Sequence, residues 1–317
     1  MTTARFCPGC KKLILPGASF CAFCGIKVDA AGAAPGPAPR RAVAKPDLAR
    51  LSPPCAVLAE KGGAHLTPEV GRIVSRVTGR PLPDVTRDLR NSRGILATGL
   101  EADQARRLLG ELEAAGAPAF ALGAGDFLEA PAFERMRSPV ISASGVACVA
   151  YRWDTQRAFA AGWERVLLAA AGRIEVTESV EAPAKPKKRR GWEGLLPWRG
   201  LTDRLVDDPP KLITTVRHEF VLDVVFRDPW ERLRLDENTA VAALTTAHED
   251  LGKAMEKAAR GLRDEGAGVV CNRGVGLLAS SAPPEAWQDL TFGSKQDFDC
   301  YARWLINLAW YGVEIPG

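Results

Sequence analysis

Residues 67–89 read TPEVGRIVSRVTGRPLPDVTRDL, and this stretch decides the fold expected for the middle of the chain. Thr67 followed by Pro68 is a common helix start, with threonine as the N-cap and proline in the first turn. Branched apolar residues then recur at helical spacing: Val70, Ile73, Val74 and Val77. Gly79 ends this helix, and a second short helix carries the stripe Leu82, Val85 and Leu89. The stretch predicts two consecutive helices; the alternative is that residues 70–89 are merely a generic amphipathic helix.

Short strands and a third helix surround this pair between residues 51 and 129. Residues 55–58 and 95–97 have strand composition, and residues 119–122 form the last strand. The third helix closes at Gly116 and is marked by apolar residues at helical spacing, namely Ala105, Leu108, Leu109 and Leu112. The order β-α-α-β-α-β in this length describes a small α/β sandwich.

This unit resembles the C-terminal domain of the bacterial ribosomal stalk protein, whose fold is shared by the ClpS adaptor. The resemblance rests on residues spread over the unit: Val77-Thr78-Gly79, Leu82, Asp88-Leu89, Gly99-Leu100, Ala105, Leu112 and Ala115-Gly116-Ala117. It implies the fold of that domain. In the stalk family a leucine follows the glycine, and a Lys-Glu-Ala-Lys stretch comes next, whose lysines serve translation-factor docking. Here Arg80 takes the place of the leucine and Pro83-Asp84-Val85-Thr86 matches that stretch, so factor docking does not carry over.

The first 28 residues contain FCPGCKKLILPGASFCAFCG, in which two C-x-x-C pairs supply Cys7, Cys10, Cys21 and Cys24. Paired cysteines in a chain without a signal peptide favour metal over disulfide. Four thiolates close a tetrahedron around Zn²⁺ and leave no open coordination position. We therefore predict one structural Zn²⁺ in a zinc ribbon like those at the N-termini of many bacterial proteins, with a short strand at residues 13–15. A redox dithiol pair is the alternative.

Charge is unevenly distributed along the 317 residues, although the net charge is only +4. Residues 1–50 contain eight Lys or Arg against two Asp or Glu, and residues 201–317 contain thirteen against nineteen. Residues 29–50 are rich in Ala, Pro and Gly, which predicts a flexible linker. The sequence shows neither the apolar stretch of a signal peptide nor an apolar run long enough to cross a bilayer. We expect a cytoplasmic protein without a transmembrane segment.

Residues 130–317 are predicted to form one β-rich domain that also contains two helices. Strand-prone runs lie at residues 139–153, 166–178, 211–226 and 231–235, and the second of these suggests two strands joined at a glycine turn. The pattern suggests a β-sandwich or a partly open barrel. Helices are expected at residues 246–265 and 295–311. A sheet that ends in an apolar helix resembles the pattern of pleckstrin-homology domains. The expected fold class is therefore multidomain α+β.

A long basic loop, residues 182–210, interrupts this domain. Five cations lead into two tryptophans: Lys185, Lys187, Lys188, Arg189, Arg190, Trp192 and Trp198. Cations beside tryptophan suit the surface of an anionic membrane, and they equally suit nucleic-acid phosphates with aromatic stacking. The third interpretation is a long solvated loop whose apolar side chains fold back onto the sheet.

Motifs for catalysis are missing from the sequence. There is no phosphate-binding loop, no H-E-x-x-H and no G-x-S-x-G, and the G-x-G at residues 274–276 suggests a turn or bulge in a strand. His218 and Glu219 are adjacent strand residues that point to opposite faces. Four carboxylates near strand ends are interpreted as solvated turn residues: Asp223, Asp228, Asp236 and Glu237. Four further cysteines are interpreted as small buried hydrophobes: Cys55, Cys148, Cys271 and Cys300.

These observations favour a non-enzymatic, zinc-binding adaptor or regulatory protein that mediates protein–protein interactions. A nucleic-acid-associated protein that uses the ribbon and residues 185–199 is the alternative, and an enzyme without a recognisable motif is the third possibility.

Overall fold

The computed structural model describes residues 5–6, 13–14, 45–63, 67–152, 155–181, 212–236, 248–266 and 268–315. The four predicted zinc ligands, most of the linker 29–50 and the basic loop 182–210 lie outside these residues. Near the N-terminus, β1 (Arg5–Phe6) pairs antiparallel with β2 (Leu13–Ile14). The short strand expected at residues 13–15 is therefore present.

The unit between residues 51 and 129 has the predicted order of elements. It runs through β3 (Cys55–Ala59), α1 (Pro68–Thr78), α2 (Leu82–Ser92), β4 (Ile95–Leu100), α3 (Ala102–Ala114) and β5 (Ala119–Leu122). The central strand β3 pairs antiparallel with both β4 and β5. The β-α-α-β-α-β order is thus confirmed.

Local signals place the ends of α1 and decide which residues it buries. The Thr67 hydroxyl accepts a hydrogen bond from the Val70 N–H at 3.3 Å, as an N-cap residue does. Gly79 ends the helix with a φ of +71°. The predicted apolar face is buried, namely Val70, Ile73, Val74 and Val77. In α2, Val85 and Leu89 are buried as expected, but Leu82 remains 40% exposed.

The last residues of the predicted linker contact this unit. Leu48–Arg50 form a short 3-10 helix, and Arg106 Nε donates to the carbonyl oxygen of Leu48 at 3.1 Å. Lys45 and Glu60 form an ion pair at 2.5 Å. Residues 45–50 therefore lie on the folded body, whereas we expected the linker to run to residue 50.

The three-stranded sheet is buried on both faces. Val57 and Ala121 belong to the core beneath α1, α2 and α3. Leu58, Phe120 and Leu122 point the other way and join the core of the following domain. Since adjacent strand residues face opposite sides, each strand contributes to two cores. The unit thus shares packed surface with residues 130–315.

The remaining strands form one curled sheet with the shape of a half-barrel. They are β6 (Phe133–Ser142), β7 (Gly145–Arg152), β8 (Thr155–Ala161), β9 (Val166–Glu181), β10 (Leu212–Phe226), β11 (Glu231–Asp236), β12 (Val270–Cys271) and β13 (Thr291–Phe292). The order in the sheet is β12-β9-β10-β11-β6-β7-β8, and β13 also pairs with β9. A single curled sheet agrees with the partly open barrel rather than with the sandwich.

The expected glycine turn within residues 166–178 is wrong, because β9 runs unbroken from Val166 to Glu181. Gly172 serves packing instead: a Cβ at this position would lie 2.7 Å from ring atoms of both Phe292 and Phe298. The strand can continue through a glycine when two rings occupy the space of the missing side chain. In residues 139–153 the strand-prone run is divided between the antiparallel strands β6 and β7.

Three helices complete this domain: α4 (His248–Asp264), α5 (Arg273–Ala279) and α6 (Lys295–Trp310). The first and last confirm the predicted helices. The turn or bulge predicted around Gly274 is wrong, because residues 273–279 are helical. The Asn272 side chain caps this helix by accepting from the Val275 N–H at 3.3 Å, and the same oxygen accepts from the Ala171 N–H at 2.9 Å. The cap therefore ties α5 to β9.

Helix α6 connects the two units through Trp304. Its indole N–H donates to the Ala59 carbonyl at 2.8 Å, and the side chain is 1% exposed. The ring lies directly against Gly94, where any Cβ would overlap it. Gly94 also has a φ of +130°, so glycine is required there for two reasons.

Within the described ranges, no helix combines the length and apolarity needed to cross a bilayer.

Candidate functional site

The residues singled out by sequence lie mostly outside the described part of the chain. These are the zinc ligands Cys7, Cys10, Cys21 and Cys24 and the loop residues Lys185, Lys187, Lys188, Arg189, Arg190, Trp192 and Trp198. The β1–β2 pairing nevertheless frames the first C-x-x-C, because Phe6 pairs with Leu13 on either side of it. Among the described residues, no group of three or more His, Cys, Asp or Glu could hold a metal ion.

The basic loop begins and ends at a ribbon formed by β9 and β10. Leu212 pairs with Glu181, and the pairing continues inward to Phe226. On the outer part of this ribbon residues 177–179 and 214–218 are exposed. Val216 is 53% exposed, the highest value among the large apolar side chains described. The two ends of the loop are therefore attached to an exposed two-stranded ribbon.

A groove lies between α1 and α2, and we refer to it as the helix groove. Its volume is about 530 Å³, and Leu82 and Leu89 supply its apolar surface. The two helices approach closely at Gly71, where a Cβ would be 3.6 Å from Leu82 Cδ1. The Thr86 hydroxyl donates to the Leu82 carbonyl at 2.8 Å, so this lining hydroxyl is satisfied within α2.

Among the described residues, three guanidinium groups line the helix groove and no carboxylate does. Arg72 and Arg90 are exposed, and neither forms an ion pair with a described residue. Arg93 is held in place, because it donates to the carbonyls of Asp289 and Thr291 at 2.9 and 2.7 Å and stacks on the Phe292 ring. The groove therefore combines an apolar surface with a rim of three guanidinium groups, of which Arg93 also lies in the field of Asp297 and Asp289.

A second feature is a buried group of four charges, which we call the charge cluster: Asp223, Arg232, Arg234 and Asp299. Asp223 lies opposite Arg234 in the β10–β11 pairing, and Arg232 is two residues along on the same face. Asp223 accepts from Arg232 Nε at 2.7 Å and from Arg234 Nε at 2.8 Å. Asp299, on α6, accepts from Arg232 at 2.6 Å and also from Arg234.

Burial and ion pairing act in opposite directions on this cluster. Asp223 and Arg234 are 0% exposed. Burial alone would raise the pKa of the Asp223 carboxyl, but the charges of Arg232 and Arg234 and their hydrogen bonds hold it below its ordinary value. Likewise, burial would lower the pKa of Arg234, and Asp223 and Asp299 raise it. The Asp223 carboxylate and the Arg234 guanidinium are therefore both stabilised in their charged forms.

Two of the predictions about carboxylates are wrong. Asp223 and Asp236 were expected in solvated turns, but they are 0% and 1% exposed. Asp236 lies 3.5 Å from Lys295 and 3.6 Å from Arg135. The sequence held a signal that we missed: Asp223 interrupts the apolar run FVLDVVF, which is the pattern of a strand buried on both faces. A carboxylate there requires buried cationic partners.

A second cavity, the arginine pocket, opens beside the charge cluster and has a volume of about 870 Å³. Its lining includes four arginines and two carboxylates, namely Arg135, Arg152, Arg232, Arg303, Glu129 and Asp299. They come from the segment before β6, from β6 and β7, from β11 and from α6. No local sequence pattern identifies this site, because its charged residues span positions 129 to 303 and meet only after the strands pair.

The remaining candidates do not form a reactive site. His218 is exposed while Glu219 is buried, so they face opposite sides as predicted. Burial raises the pKa of the Cys148 thiol to about 12, which disfavours the thiolate that reacts. Cys55 is also buried, as expected. Cys271 and Cys300 are half-buried, which is less than we predicted.

Comparison of the chain with protein-family profiles, curated proteins and solved structures finds no match. The class of protein is therefore defined by its own fold: a mixed α/β protein with a curled half-barrel sheet. The resemblances to the stalk domain and to pleckstrin-homology domains stay predictions.

Proposed function

We propose that the chain is a non-enzymatic adaptor or regulatory protein whose helix groove binds an acidic segment of a partner protein. One observation carries this proposal: three arginines and no carboxylate surround a groove that leaves Leu82 40% exposed. An exposed apolar residue with a rim of arginines is typical of protein-binding surfaces, where arginine is enriched. As part of the same proposal, residues 51–129 have the fold of the stalk domain, which their order of elements supports. The β-rich domain resembles pleckstrin-homology domains, which its closing helix α6 supports.

The chemistry of the groove specifies its occupant. Arg72 and Arg90 attract carboxylates, and the apolar surface at Leu82 and Leu89 accepts one aliphatic or aromatic side chain. A short acidic segment with an apolar anchor satisfies both. The predicted zinc ribbon, on its linker, would be a second binding module of the same adaptor; its four cysteines fit one closed zinc site.

The test of the groove uses synthetic peptides. We expect fluorescein-labelled peptides with two or three Asp or Glu around one Leu or Phe to bind in fluorescence polarisation. Leu82→Glu should abolish binding, because it puts a carboxylate among those of the peptide. The double variant Arg72→Glu with Arg90→Glu should weaken binding at least tenfold, which corresponds to about 1.4 kcal/mol.

Leu48 provides the matched control, since it is 45% exposed and lies outside the groove. Leu48→Glu should bind the peptides like the unaltered protein. Partners captured from the native host should be lost with Leu82→Glu and kept with Leu48→Glu. If basic or neutral peptides bind as well as acidic ones, or if Leu82→Glu has no effect, the adaptor proposal in this form is wrong.

The nucleic-acid alternative is favoured by one observation, the exposed ribbon to which the basic loop is attached. A salt titration with DNA, RNA and anionic liposomes separates the cases. For the adaptor we expect weak binding to each polyanion that disappears as salt rises, since neutralised phosphates release counterions. Replacing Lys187, Lys188, Arg189 and Arg190 with serine should remove this binding and leave peptide binding in the helix groove unchanged.

A control variant changes exposed cations elsewhere in the chain, namely Arg50, Lys253, Lys257 and Arg263 to serine. It should affect polyanion binding less than the loop variant does. Tight binding to DNA or RNA that survives high salt would replace the adaptor proposal with the alternative. Binding restricted to anionic liposomes, weakened at high salt by Trp192→Ala and Trp198→Ala, would indicate a membrane surface.

A further inference from the structure

The arginine pocket has the charge of an anion-binding site. Four guanidinium groups and two carboxylates line it, so the lining carries an excess of two positive charges. Behind the lining, Asp223 is paired with Arg234, and Asp236 lies between Arg135 and Lys295, so these two oppositely charged pairs leave the excess unchanged. Arginine presents forked N–H donors that match the oxygens of a carboxylate or a phosphate. An anionic group is the natural complement of this pocket.

Two of the arginines are available for a ligand. Arg152 is exposed at the end of β7 and forms no ion pair with a described residue. The Nε of Arg135 is buried and forms an ion pair with Asp236 Oδ1 at 3.6 Å, but it makes no hydrogen bond to any described residue. A buried N–H without a hydrogen bond is unfavourable, and an anion in the pocket could supply its partner.

The other two arginines of the pocket are held in position by contacts with neighbouring side chains. Arg232 is 3% exposed, and the hydrogen bonds to Asp223 and Asp299 determine its position. Arg303 donates to Glu129 at 2.9 Å and stacks on the Phe127 ring. Guanidinium groups that are positioned before binding lose less conformational entropy when a ligand arrives.

The size and the rest of the lining indicate a small molecule. A volume of about 870 Å³ lies within the range of small-molecule sites. Pro131, Phe133 and Tyr151 supply apolar surface, and Gln296 supplies an amide that can donate and accept. Phe133 lies beside the guanidinium groups of Arg135 and Arg232, so the pocket combines cationic and apolar surface.

We propose that the arginine pocket binds a small organic molecule that carries a carboxylate or a phosphate group. The site is separate from the helix groove, which is lined by different residues. The proposal therefore adds a ligand-binding function to that of the adaptor and does not depend on it.

Isothermal titration calorimetry of the full chain tests this proposal with two probes, inorganic phosphate and citrate, at constant ionic strength. We expect saturable binding of at least one probe with one site per chain. Phosphate alone would indicate a phosphate ester, and citrate alone a carboxylate. Arg152→Gln should weaken that binding about tenfold. Arg263→Gln, which changes an exposed arginine on α4 that does not line the pocket, should leave it unchanged.

Asp299→Asn gives a result that a purely structural role would not produce. Asp299 is 37% exposed, and it competes with a ligand for Arg232. Asparagine keeps an oxygen that accepts from the arginines but removes the negative charge. We therefore expect this variant to bind the probe several-fold more tightly, while Arg152→Gln binds it more weakly.

No saturable binding of either probe would overturn the proposal, as would equal losses in Arg152→Gln and Arg263→Gln. Weaker binding by Asp299→Asn would also contradict it. Because peptide binding in the helix groove is measured separately, failure here leaves the adaptor proposal standing, and failure of the groove test leaves this one standing.

Discussion

Asp223→Ala is expected to lower the free energy of unfolding by about 3–5 kcal/mol, as removal of one partner from a buried ion pair does. The carboxylate is 0% exposed and accepts hydrogen bonds from two arginines that are 3% and 0% exposed. Without it, Asp299, which is partly exposed, is the one carboxylate among the described residues that still pairs with Arg232 and Arg234. Guanidinium unfolding followed by circular dichroism measures the change at pH 7.

Two further variants show whether the loss comes from uncompensated charge. Replacing all three residues together, Asp223→Leu with Arg232→Met and Arg234→Met, should cost far less than Asp223→Ala, because no unpaired charge stays buried. Asp264→Ala, which removes an exposed carboxylate paired with Arg263, should leave the unfolding transition unchanged. A triple variant less stable than Asp223→Ala would contradict the explanation.

The same carboxylate makes stability depend on pH in a defined direction. Its pKa is below the unfolded value because burial, which raises the pKa, is outweighed by the two arginines. The contribution is therefore present above the unfolded pKa of about 3.9 and is lost as pH falls through the folded pKa. The stability difference between the protein and Asp223→Asn should be constant near neutrality and shrink only in acid.

Removal of one zinc ligand is expected to have the largest effect on the N-terminal segment. Structural zinc supplies about 10–16 kcal/mol to the folding of such small units, which cannot form an adequate core by themselves. Purified protein should contain one zinc per chain by elemental analysis. Cys7→Ser or Cys24→Ser should lose the metal, and residues 1–28 should then be digested rapidly by protease.

Cys300→Ser is the matched control, since this free cysteine is half-buried in α6, outside the two C-x-x-C pairs. It should keep one zinc per chain. Iron in place of zinc, or an N-terminal segment that stays protease-resistant without metal, would contradict the prediction. A dithiol pair that cycles between reduced and oxidised forms without bound metal would support the redox alternative.

Local features of the sequence predicted the elements whose causes are local. The cap at Thr67, the glycine at Gly79 and the apolar stripe of α1 lie within one short stretch, so the helix and its buried face could be derived. The β-α-α-β-α-β order followed from the same kind of signal. Helix α6 was also predicted, because its apolar residues repeat at helical spacing; in the structure the Ser294 side chain caps its first turn.

Predictions failed where a residue's role depends on a distant partner. Gly172 looked like a turn, but it lies in a continuous strand because the rings of Phe292 and Phe298 fill its side-chain space. Gly274 looked like part of a bulge, but Asn272 caps a helix there and bonds to Ala171, 101 residues earlier. A glycine's local freedom is visible in sequence, whereas the group that packs against it is not.

The sequence by itself determined the composition of each segment and the four thiolates that would bind zinc. It also determined the helices α1 and α2 and the residues that cap them, because propensity and periodicity act over a few neighbouring residues. Only the tertiary structure decided that Asp223 is buried against Arg232, Arg234 and Asp299, and that arginines from separate strands and α6 surround one pocket. The pairing of β10 with β11, together with the ion pairs from Asp299 on α6 to Arg232 and Arg234, brings together charges 76 positions apart. Burial then makes those charges mutually dependent, which their positions along the chain do not reveal.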